Sequence, residues 1–199
     1  MTINNDSTPI SQFILESEKN VEIATFIYEN YDNARAELVK GFIERLEADL
    51  KGRLPDWSFE YDPPFFTSRY GILFLKKAKW LDCYAIVLEA FDEGNQMNYG
   101  VWRDETLIGA VPRNPELLAE VRKRLPQARS RKYYEAEIQM NSPAPDWRKP
   151  KVLWRMQTDE TFRKEVAASL LEIVEIAEKR IGDLVKSLPK SNHPVMSGA

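Results

Sequence analysis

The sequence predicts an α+β fold, in which a central antiparallel sheet, with a hairpin near residues 80–103, is flanked by a long N-terminal and a long C-terminal amphipathic helix. Three observations carry that prediction. Apolar residues recur every three or four positions over residues 18–50, the stripe of an amphipathic helix. Between residues 57 and 103 the pattern changes to short alternating runs rich in aromatic and β-branched residues, joined by links too short for parallel crossovers. From Phe162 onward the helical spacing returns and is sustained to Leu188.

The first helix carries Ile23, Ile27, Tyr31, Ala34, Leu38, Phe42, Leu46 and Leu50 on one stripe. The patch "ENYDN" is expected to break it in two, since Asn and Asp favour caps and turns, and Gly52 and Pro55 end it. "WSFEYD" then alternates, with Trp57, Phe59 and Tyr61 on one face. The two prolines of "PPFFTSRYGILFLKK" delay the next strand to near Phe66 or Tyr70. "WLDCYAIVLEAFD" and "MNYGVWRD" read as the longest strands, and "EGNQ" between them supplies Gly94 and Asn95 for a hairpin turn. "PELLAEVRKRL" reads as a short helix, with Pro115 at its start and cations in its last turn. "KYYEAEIQM" and "KVLWRM" are expected as short strands around the loop "NSPAPDWRKP". Thr158 or Asp159 caps the last helix, whose stripe runs Phe162, Val166, Leu170, Ile173, Ala177, Ile181, Leu184, Leu188. Residues 1–17 are expected to be a flexible N-terminus, 18–188 a single α+β domain and 189–199 a disordered tail.

Several chemistries are disfavoured. The only cysteine, Cys83, sits inside an alternating run, and the only histidine, His193, lies in the tail. Disulfides, cysteine zinc sites and histidine-based catalysis therefore find no support. No phosphate-binding glycine loop, nucleophile elbow, zinc-protease pair or EF-hand loop is present. No cofactor, no metal and no catalytic residue is expected. Among the carboxylates, Glu60 and Asp62 share a strand face, and Glu89, Asp92 and Glu93 flank the hairpin turn. They read as the solvent side of a half-exposed sheet. Glu89 fits that reading least, lying among Leu88, Ala90 and Phe91. The N-terminus lacks the basic and apolar regions of a secretory signal, and no apolar run approaches the ~20 residues of a membrane span. A cytoplasmic chain without membrane contact is expected.

Charge is uneven. Residues 1–112 hold 11 basic and 19 acidic side chains, residues 113–155 hold 11 and 5, and residues 156–199 hold 6 and 7. A basic block on an acidic body marks a candidate anion or partner site at Arg122, Lys123, Arg124, Arg129, Arg131 and Lys132, followed by Tyr133 and Tyr134. Cations interleaved with aromatics suit a phosphate backbone and stacked bases; they equally suit a helix C-terminus, a solvated loop or an acidic protein surface. Trp80, Tyr99, Trp102 and Trp147 form a candidate aromatic interface, and the same residues would also fill the space between sheet and helices.

Taken together, "ARAELVKGFIERLEADL", "YGILFLKKAKWLDCYAIVLEAF", "MNYGVWRDE", "KYYEAEIQM" with "PDW", and "TDETFRKEVAASLLEIVEIAEKRI" resemble the C-terminal module of a group of bacterial and phage PD-(D/E)XK-superfamily proteins, over residues 33–186. Nucleases of that superfamily need an Asp and, downstream on a strand, an acidic-x-Lys triplet. Here Pro55-Asp56 is followed by no such triplet, and Asp49-Leu50-Lys51 precedes it. The resemblance therefore implies the appended non-catalytic module, one that binds or regulates a partner in settings such as host–phage conflict. The expected function is a non-enzymatic, regulatory protein–protein interaction, with homo-oligomers within its range. The alternatives are a nucleic-acid-binding module using block 113–155 and a divergent metal-dependent nuclease.

Overall fold

The strands β1 (Trp57–Tyr61), β2 (Tyr70–Lys77), β3 (Tyr84–Phe91), β4 (Gln96–Arg103), β5 (Arg129–Arg131) and β6 (Tyr134–Gln139) form one antiparallel sheet in the order β1-β2-β3-β4-β6-β5. The computed structural model describes residues 8–61, 70–91, 94–104 and 113–187. His193, Asp62, Asp92, Glu93 and Leu188 lie outside the described residues. Among the described residues five helices accompany the sheet: α1 (Pro9–Leu15), α2 (Glu18–Lys51), α3 (Pro115–Arg124), α4 (Pro150–Thr158) and α5 (Glu160–Ser187). This is the α+β fold that the sequence predicts, with the β3–β4 hairpin at the centre of the sheet and long helices at either end of the chain.

Alternation gives the sheet two faces. On one, Leu73 and Leu75 of β2, Ile86 and Leu88 of β3, Tyr99 and Val101 of β4 and Ala136 and Ile138 of β6 join the main core. α5 lies against β3 and β4 on this face and is flanked by α2 and α3. Phe42 of α2, Trp147 of the loop before α4 and Phe162 of α5 meet edge to face, with centroids 5.3–5.6 Å apart, a geometry that adds to the area they bury. The other face carries Ile72, Phe74, Ala85, Val87, Trp102 and Tyr134 as a smaller apolar cluster. By register it also carries Glu89, Asn98, Gly100 and Glu137.

Local chemistry explains the boundaries. Gly94 has φ 87° in the hairpin turn, a conformation that glycine adopts without strain. The turn is held from outside by Met97 N–H donating to Pro145 O at 3.0 Å and Trp147 N–H donating to Gly94 O at 2.9 Å. Asp159 caps α5, accepting from Thr161 N at 2.9 Å and Phe162 N at 3.3 Å. Gly100 has φ 153°, and a Cβ there would collide with the Ala136 carbonyl of the neighbouring strand.

Four expectations need correction. α2 runs unbroken through "ENYDN", because its residues continue a helix already formed on both sides. "KVLWRM" is helical: Pro150 opens α4, and Val152, Leu153 and Met156 are buried at helical spacing while Trp154 stays exposed. Strand β3 starts at Tyr84, since residues Ala78–Cys83 form a 3-10 turn that carries Trp80 into the core. Within the N-terminal stretch read as flexible, Pro9–Leu15 form α1, with Thr8 as N-cap and Pro9 in the first turn.

Candidate interaction site

The N-terminal arm consists of α1 and the first half of α2. Ser17 separates the two helices and caps the second, its Oγ accepting from Asn20 N at 3.2 Å. Asn20 Nδ2 in turn donates to Phe13 O at 2.7 Å, which closes the bend between them. The helices therefore fold against each other rather than onto the body. Buried residues on α2 start only at Val39.

Apolar side chains on the arm face outward. Ile10, Phe13, Leu15, Phe26, Ile27 and Tyr28 are all more than half exposed, and Val21, Ile23 and Tyr31 more than 40%. Between α1 and α2 lies a groove of about 790 Å³, lined by Ile10, Phe13, Ile14, Ile23, Ala24, Ile27, Tyr28 and Tyr31, with Asn20, Glu29 and Asp32 as its polar lining. The arm as a whole, residues 8–37, carries six acidic and two basic side chains. Scattered surface apolar residues are ordinary, whereas a contiguous patch of this kind marks an interaction surface. The sequence reading missed this site by treating residues 1–17 as flexible. Thr8-Pro9, a cap followed by a first-turn proline, and the triplet Phe26-Ile27-Tyr28, too wide for one helix stripe, were the available signals.

The basic block is brought together around α3, β5 and β6, but its charges are largely engaged within the chain. Arg122 Nε donates to Ala128 O at 2.9 Å, and Lys123 pairs with Glu120 at 2.7 Å. Arg124 grips Glu175 of α5 through both terminal nitrogens, at 3.1 and 3.2 Å. Arg129 and Arg131 both bond the buried Glu137 carboxylate, at 2.9 and 2.8 Å. Lys132 Nζ lies 4.6 Å from the Tyr133 ring centre. Four of the six cations thus sit against carboxylates of the same chain.

The proposed aromatic interface is not assembled on the surface. Trp80, Tyr99 and Trp147 are buried in the main core, where the Trp80 ring meets Trp57 at 4.8 Å. Trp102 lies on the opposite face, edge to face with Phe74 at 5.5 Å. Aromatic residues this large fill a sheet–helix gap before they decorate a surface. Trp154 is the exposed tryptophan among the described residues.

Two polar clusters are buried in the sheet. On the face away from α5, the Tyr134 hydroxyl donates to Glu89 Oε2. Glu89 is only 8% exposed, which corrects its assignment to the solvent side. Burial, opposed by the bond from Tyr134, pushes the Glu89 carboxyl above its ordinary range. At the other end of the hairpin Arg103 pairs with Glu135 at 3.0 Å, and Glu135 also accepts from Asn114 N at the start of α3. Burial and then the Glu135 charge raise the neighbouring Tyr84 hydroxyl to about 12. Cys83 is half-buried, and among the described residues no three His, Cys, Asp or Glu side chains gather as a metal site would require. Comparison with protein-family models, with curated proteins and with solved structures returns no match.

Proposed function

We propose that this protein is a non-enzymatic binding protein whose arm docks a basic, amphipathic helical segment of a partner protein. One observation carries the reading: a groove with apolar walls and an acidic rim lies between two helices that contribute no buried residue to the core before Val39. An amphipathic helix laid in such a groove buries its apolar face and sets its own cations against Glu29 and Asp32. A second copy of the chain suits the groove less well. Its arm is equally acidic, and its basic block is engaged in internal pairs. Those same pairs weigh against the nucleic-acid reading. The pattern-level resemblance to an appended PD-(D/E)XK-superfamily module without its triplet supports a regulatory role for the binding, and regulation in host–phage conflict belongs to the same proposal.

The test uses two synthetic helical peptides with leucine at i, i+3, i+4 and i+7, one with lysine and one with glutamate at the remaining positions. Fluorescence anisotropy with the full chain should give saturable binding of the lysine peptide alone. Ile27→Asp should weaken it about tenfold or more, since a charge would then line the groove. Equal binding of both peptides, or of neither, overturns the proposal. Concentration-dependent doubling of mass that Ile27→Asp abolishes would assign the groove to a second copy instead. Tight nucleic-acid binding that falls steeply with salt would promote the alternative function.

A further inference from the structure

We propose that Glu89 retains a proton in the folded chain and donates it to Asn98 Oδ1, so that the face of the sheet away from α5 carries a closed, pH-responsive carboxyl group. Glu89 of β3 and Asn98 of β4 are direct cross-strand partners. Side chains so placed on one face have Cβ atoms about 4.5–5.5 Å apart, within reach of a shared proton. Asn98 is 2% exposed, and its Oδ1 has no hydrogen-bond partner among the described residues. An orphaned buried acceptor costs on the scale of a lost hydrogen bond, so a donor is wanted there.

The surroundings decide which donor. Glu89, Asn98, Ala85 and Val87 are all buried, so a donor supplied by the chain itself is the one at hand. Tyr134 approaches Glu89 from β6 across Gly100, which bears no side chain, and donates to Oε2. That leaves Oε1 to hold the proton. From β2 the residue opposite Glu89 is Ile72, which carries no charge. The charged groups that face Glu89 from β6 and β5 are Glu137 and Arg131, and Arg131 is paired to Glu137, as is Arg129. Among the described residues, Glu89 thus has a hydroxyl donor and a nearby like charge, while Arg131 is held by Glu137. Burial leads the upward displacement of its carboxyl, Glu137 adds to it, and Tyr134 and Arg131 oppose it. The Tyr134 hydroxyl is itself raised, by burial first and then by Glu89, so it stays a donor across the usable pH range.

The sign follows from linkage. The folded chain holds this proton more tightly than the unfolded one. The stabilisation is therefore complete below the unfolded carboxyl's pKa of about 4.3 and is lost as pH rises through the folded value. Glu89→Gln mimics the protonated state at every pH: its amide can donate to Asn98 while its carbonyl accepts from Tyr134. Thermal melting of the full chain from about pH 5 to about pH 8.5 should show the variant gaining on the wild type as pH rises. The gain should be about 3–5 °C for every tenfold by which folding tightens the proton. Infrared difference spectra near pH 6, where ordinary carboxylates are ionised, should show one protonated carboxyl carbonyl band in the wild type that Glu89→Gln removes. A melting gap that does not change with pH overturns the proposal. If the variant does not fold, the absence of that band in the wild type overturns it by itself.

Discussion

The two halves of α2 share one spacing of apolar residues and meet opposite surroundings. In residues 39–50, Val39, Phe42, Ile43, Leu46 and Leu50 are buried against the rest of the core. In residues 18–37, Ile23, Ile27 and Tyr31 continue the same stripe, yet Ile27 is 58% exposed where Leu46 is 0%. At about 1.5 Å per residue the outer part extends the helix by roughly 30 Å. An isolated helix of that length is marginal in water, because nucleation is costly. Here the buried half supplies the nucleus, and α1 covers part of the outer half. The difference teaches that spacing specifies a helix and the direction of its stripe, while burial depends on what else the chain brings to that side.

The largest expected effect tests that contrast directly. Phe42→Ala removes a fully buried ring from the cluster with Trp147 and Phe162 and should cost about 3–5 kcal/mol in chemical denaturation. Phe26→Ala, on the same helix but 67% exposed, should change stability by less than about 0.5 kcal/mol. Comparable losses from both would mean that the arm packs against the body in solution and is no docking surface.

The same distinction explains how far the sequence could be read. Period located α2, the β3–β4 hairpin and the buried stripe of α5, and cap chemistry narrowed the start of α5 to Thr158 or Asp159, because each rests on residues close together in the chain. Alternation continues through "WLDCY" and so puts Trp80 on a strand; only the packing of its ring on Trp57 reveals the 3-10 turn. "KVLWRM" is a short apolar run that suits either a strand or a helix, and Pro150 in its first turn was the deciding residue. Alternation with the core puts Glu89 on the solvent face of the hairpin. Nothing local announces that Tyr134, far along the chain, crosses to meet it. The basic block was legible as a run of charge. Its partners Glu175 and Glu137 were not, since pairing in space leaves no trace in local spacing.

Hydrogen exchange sharpens the comparison at the level of single amides. Residues 21–37 should exchange through local opening of the arm, with protection roughly 100-fold or more below that of residues 42–50, which open only with the whole domain. Adding the lysine peptide should raise protection in the arm and leave the inner half of α2 unchanged. Uniform protection along the whole helix in the free chain would remove the distinction between arm and body.

The smallest effect compares two helix caps of like chemistry in the two regions. Ser17 Oγ accepts from Asn20 N at 3.2 Å at the start of α2, and Asn114 Oδ1 accepts from Leu117 N at 2.9 Å at the start of α3. Each satisfies one backbone donor that the first helical turn leaves open, so each is worth about 1 kcal/mol to its own helix. α3 buries Leu117 and Val121 in the core and reaches α5 through Arg124 and Glu175, so its helix–coil equilibrium is tied to global unfolding. Asn114→Ala should therefore lower the melting temperature by about 2–4 °C. Ser17→Ala should fray the arm, raising exchange at residues 18–21, while the global transition stays where it was. A fall in melting temperature with Ser17→Ala as large as that with Asn114→Ala would tie the arm to the cooperative core and place its apolar face inside the fold.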